Sequence, residues 1–147
     1  MPMKRLVALL GLIACASLAA ADVARLPDTP AGRHAAAWLE AYGSGSESAM
    51  RAMYEKHLAA GEMAAVPMER RLRQYAAARP RDGELSVERI VQSEERFLRL
   101  VARASGGGFR QLDFECEEGP PHGLVGIGVM MVRDPAAVAA RPAPVTA

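Results

Sequence analysis

From Pro30 to Ala76 apolar side chains recur every three or four positions, and beyond Gly83 they recur at every second position. Ala31, Ala35, Trp38, Leu39 and Tyr42 line one side of a first predicted helix. Thr29 is its N-cap, Pro30 its first helical residue, and Gly43 its stop. Ser44-Gly45-Ser46-Glu47 has the spacing of a capping box and opens a second helix. Its stripe is Met50, Met53, Tyr54, His57 and Leu58, and Ala59-Ala60-Gly61 ends it. Val66-Pro67 starts a third, with Glu69 in its first turn, Met68, Leu72, Tyr75 and Ala76 inward, and Arg70, Arg71 and Arg73 on the wet side. Pro80 and Gly83 close it.

The strands follow. Leu85, Val87 and Val91 alternate with Ser86, Glu88 and Gln92, with Arg89 interrupting the apolar face. Residues 96–103 are apolar in part on both faces, and Ser105-Gly106-Gly107-Gly108 is a hairpin signal. Leu112, Phe114 and Cys116 then alternate with Gln111, Asp113, Glu115 and Glu117, a one-sided strand. Glu118-Gly119-Pro120-Pro121 turns the chain into Leu124–Val132, apolar on both faces. Helices first and an antiparallel meander second predict an α+β fold, three N-terminal helices packed on a curved four-stranded antiparallel sheet.

Ahead of this domain, Lys4 and Arg5 precede an apolar run from Leu6 to Leu18, and Ala19-Ala20-Ala21 supplies small residues for signal peptidase. This layout predicts a signal peptide over residues 1–21, its run too short to span a membrane. Leu12-Ile13-Ala14-Cys15 also fits a lipobox, which would lipidate Cys15 and anchor the chain to a membrane. The apolar Ala16-Ser17-Leu18-Ala19 after Cys15 favours cleavage after Ala21 over a polar tether. The expected location is periplasmic or secreted, with lipid anchoring at Cys15 as the alternative.

Taking Lys4 and Arg5 from the 18 basic residues leaves 16 against 17 acidic ones, a balance that gives no electrostatic case for nucleic acid. Cys116 is then the single thiol, so no intrachain disulfide is expected. Residues 28–133 form the predicted domain. Residues 134–147, Ala/Pro-rich and without aromatics, read as a disordered tail.

Two stretches carry a family likeness. Thr29-Pro30-Ala31-Gly32-Arg33 with Trp38-Leu39-Glu40-Ala41-Tyr42-Gly43-Ser44-Gly45, and Pro120-Pro121-His122-Gly123 leading into a Gly-rich apolar strand, resemble an NTF2-like (cystatin-like) module. That module stands N-terminal to serine-hydrolase domains in exported bacterial proteins, tail-specific-protease-like or beta-lactamase-like. The resemblance implies a cone-shaped fold that often encloses a pocket. Its motifs are structural and carry no reaction. The chain holds no Gly-x-Ser-x-Gly elbow and no Ser-x-x-Lys pair onto which a hydrolase's catalytic residues could be carried.

Candidate chemistry is sparse. Cys116 and His122, six apart across a turn, could form a thiolate–imidazole pair, but a core Cys and a turn His are the simpler reading. His34, His57 and Glu40 lack the convergent spacing of a metal site, so no metal or cofactor is expected. A cone isomerase needs a cavity-facing carboxylate, and Asp113, on the polar side of its strand, points away. Trp38, Tyr42, Tyr54, Tyr75 and Phe114 are the candidate pocket-lining residues. Arg70, Arg71 and Arg73 read as a solvated face, with an acidic partner as the alternative. The expected function is a non-catalytic, exported module of the bacterial cell envelope. It would bind a small apolar ligand or an envelope protein such as a serine hydrolase, or pair with itself through the sheet. A small cavity enzyme, isomerase or hydrolase, is the alternative.

Overall fold

A computed structural model describes residues 25–142. The signal peptide, its cleavage point after Ala21 and the lipidation candidate Cys15 lie outside the described residues. Four helices, α1 (Pro30–Gly43), α2 (Glu47–His57), α3 (Ala60–Ala65) and α4 (Met68–Asp82), precede four strands: β1 (Leu85–Ser93), β2 (Phe97–Ala104), β3 (Phe109–Cys116) and β4 (Leu124–Val132). The strands form one antiparallel sheet in chain order, an α+β fold.

Four helices in place of three is a correction with a local cause. Leu58 and Ala59 leave the helix for extended backbone, and the Ala59 N–H bonds to Leu124 O at 2.9 Å, starting a parallel bridge on the edge of β4. The Ala-rich run then re-enters a helix, α3, that buries none of its own residues. Gly123 permits this approach: a Cβ there would stand 2.9 Å from Ala59 Cα.

The caps shift too. Thr29 Oγ1 accepts from Gly32 N as predicted, whereas α2 is capped by Ser46, whose hydroxyl accepts from Ala49 N at 3.2 Å. Ser44 instead caps the end of α1. Pro80 does not close α4, which runs on to Asp82. Pro80 and Ala76 both face solvent, so the carbonyl that the missing N–H leaves free is on the wet side of the helix. Gly83, at φ 68°, ends the helix.

The core lies between the helices and one sheet face. Ala31, Ala35, Trp38, Met50, Met53 and Leu72 pack there on Leu98, Leu100, Leu112 and Phe114. In β1, irregularities between Val87 and Arg89 and between Ile90 and Gln92 reset the face, so Leu85, Val87 and Ile90 meet the core. The Arg89 interruption in the sequence is this bulge seen in one dimension.

The opposite sheet face is covered in part by residues 134–142, where the sequence reading placed a disordered tail. Arg89 donates to the carbonyls of Pro135 and Val138, and Arg99 donates to that of Ala139. The Arg141 guanidinium lies 3.9 Å above the Phe97 ring. This strap explains why Phe97 and Val101, on the face away from the helices, are buried. Residues 143–147 lie outside the described segment. No helix among the described residues is long and apolar enough to cross a membrane.

Candidate functional site

A cleft of about 370 Å³ opens between α1, α2, α4 and β4. Trp38 and Tyr42, one helical turn apart on α1, stack with centroids 4.8 Å apart at 24°. Tyr75 of α4 meets Tyr42 edge-on at 5.4 Å, and Tyr54 of α2 completes the aromatic wall. Ile127 and Val129 of β4 form the opposite side. Phe114 lies beneath this wall, against Trp38 at 5.8 Å, and does not line the cleft.

The polar atoms of this wall are mainly donors, and two of them are poorly matched. The Tyr75 hydroxyl has no hydrogen-bond partner, and Trp38 Nε1 approaches only the Tyr54 hydroxyl, outside good hydrogen-bond geometry, in residues only 6% and 3% exposed. Leaving a buried donor unsatisfied costs about 1–3 kcal/mol, and few native side chains do it without cause.

Tyr42 is tied instead. Its hydroxyl donates to Asp82 Oδ2 at 3.3 Å, and burial, with the Asp82 charge second, pushes its phenol up to about 12. Asp82 is fully buried and receives Arg110 Nη2 at 2.7 Å and Arg81 Nε at 2.8 Å. Burial pushes its carboxyl upward, but these two guanidinium bonds outweigh that and hold it below the usual carboxylate range.

α4 builds the rest of the cleft by spacing. Arg71, Gln74, Tyr75, Ala78 and Arg81 recur at three and four along one stripe. Arg71 is therefore no part of a solvated face, as the sequence reading had it. It is largely buried, donates to Glu62 at 2.8 Å and stands 5.8 Å from the Tyr54 ring centroid, while Arg70 and Arg73 face water.

The other candidates are dispersed. Cys116 is buried in the core, where burial pushes its thiol up to about 11. The His122 ring bonds through Nδ1 to Glu117 O, and its own carbonyl receives His34 Nε2 at 2.9 Å. His34 and His57 do meet, Nδ1 to Nδ1 at 2.9 Å, while Glu40 is exposed. Among the described residues no three His, Cys, Asp or Glu side chains converge as metal ligands. Asp113 lies on the strap face, paired with Arg99 at 2.7 Å. Sequence reasoning missed Arg71, Gln74, Arg81 and Asp82. The signal that could have found them is the three-and-four stripe running through Tyr75, which the count of charges on α4 hid.

No family model, no curated protein and no solved structure matches this chain.

Proposed function

We propose that this chain is a non-catalytic, exported NTF2-like module that binds a small, largely apolar molecule in the cleft between its helices and β4. The observation that carries the reading is the aromatic wall of Trp38, Tyr42, Tyr54 and Tyr75 with two poorly matched buried donors, the Tyr75 hydroxyl and Trp38 Nε1, in it. Apolar walls with a few convergent polar groups, at a volume in the range of known ligand pockets, are what a small-molecule site requires. The helices-then-meander order and the bulged first strand support the NTF2-like assignment; the signal-like opening supports export.

The chemistry beside the cleft favours binding over turnover. Tyr42 keeps its proton to about 12, and the carboxylate it touches is held by two guanidiniums. Neither group can exchange protons at neutral pH.

Trp38 is the chain's single tryptophan, so its emission reports on the cleft directly. A fluorescence screen of small apolar and aromatic compounds should shift that emission saturably. Ala78→Phe, which fills the cleft from α4, should abolish the response in a protein with unchanged circular dichroism. No response up to millimolar concentration, or an equal response in Ala78→Phe, would remove the proposal.

A further inference from the structure

The charges around the cleft narrow the ligand class, on the condition that the cleft is a ligand site as proposed above. Among the described residues Asp82 is the one carboxylate bonded to Tyr42, and it is shared by Arg81 and Arg110, so that group carries one net positive charge. Arg71 and Glu62 cancel. Arg79, 5.9 Å from the Tyr42 ring centroid, bonds to the carbonyls of Tyr42 and Gly43 and, among the described residues, pairs with no carboxylate, which adds a second cation. Among the described residues no carboxylate lines the cleft itself.

We infer that the cleft binds a monoanionic amphiphile, an acid with one carboxylate and an apolar or aromatic body. The body would occupy the space between Trp38, Tyr75 and Ile127. The carboxylate would sit toward Arg81, which is over half exposed and keeps donors beyond those given to Asp82. An anion beside Arg81 meets a guanidinium with a free N–H; a cation there would meet like charge. Hydrogen bonds to charged groups are worth more than neutral ones, so the acid should outbind its alcohol by about tenfold or more.

The test uses three probes with one body: 4-phenylbutyrate, 4-phenyl-1-butanol and 4-phenylbutylamine, each titrated against Trp38 emission at pH 7.4. We expect the acid to bind tightest and the amine weakest, with the gap narrowing in high salt. Arg81→Met should bring the ratio of acid to alcohol affinity close to one, with Arg110 still holding Asp82 in that variant; an unchanged ratio would overturn the anion inference. Equal affinities for acid and alcohol would overturn the anion inference and leave the cleft reading standing. Silence from all three probes would overturn both.

Discussion

His34 and His57 face each other Nδ1 to Nδ1 across 2.9 Å, joining α1 to α2. His34 Nε2 donates to the His122 carbonyl, so in the neutral ring His34 Nδ1 accepts and His57 Nδ1 donates. The pair is built from two neutral rings. Burial, chiefly, lowers both titrations, with Arg33 and His122 adding positive charge near His34, and His34 and Lys56 adding it near His57. A base whose folded pKa is depressed contributes stability above its unfolded value near 6.5, lost as pH falls through the lower folded value. Thermal melts from pH 7.5 to 5 should therefore show Tm dropping by a few degrees. His57→Gln, which removes one titration, should flatten that drop, and a slope identical to wild type would contradict the linkage.

Asp82 and Arg110 are 28 residues apart in sequence and 2.7 Å apart in space, both buried. Asp82→Ala leaves the Arg110 charge stranded and should cost about 3–5 kcal/mol in urea unfolding. Asp82→Leu combined with Arg110→Met should recover most of that loss. Equal losses in the single and double variants would show that the charges do not act as a pair.

The strap over the outer sheet face is a third test. A chain ending at Arg133 exposes Phe97 and Val101, each buried side chain worth about 1.5–3 kcal/mol when covered. We expect lower stability and concentration-dependent self-association by light scattering. On that face β4 already shows Met130 to solvent, at 53% exposure, so the truncated face would extend an existing apolar surface. A truncated chain as stable and as monomeric as the full one would show that the strap packs without consequence.

Cys116 should behave as a core residue. With burial pushing its thiol up to about 11, iodoacetamide at pH 8 should label it only in denaturant. Rapid labelling of the folded protein would place it at an accessible, activated position instead.

Local pattern carried most of the fold. The alternation of Leu112, Phe114 and Cys116 and the turn of Trp38 and Tyr42 needed only neighbouring residues to be read. The α+β class followed from the change of period near Gly83. What pattern could not reach were contacts made across the chain. The restart of the helix at Ala60 depends on Leu124 capturing Ala59, and the burial of Phe97 depends on Arg141. Four of the five candidate pocket residues line the cleft, since aromatics on inward stripes must converge somewhere. Arg71 and Arg81 were illegible because a charged residue in isolation reads as solvated, and only its partner reveals otherwise.

The most direct measurement is the indole N–H cross-peak of Trp38 in a ¹H–¹⁵N correlation spectrum, a single resonance because the chain has one tryptophan. Its N–H is buried in the cleft wall beside the Tyr54 hydroxyl. Saturating 4-phenylbutyrate should move it downfield along a saturable curve, with Ala78→Phe abolishing the change. A resonance that stays in place while binding is detected by calorimetry would put the ligand elsewhere and contradict the cleft.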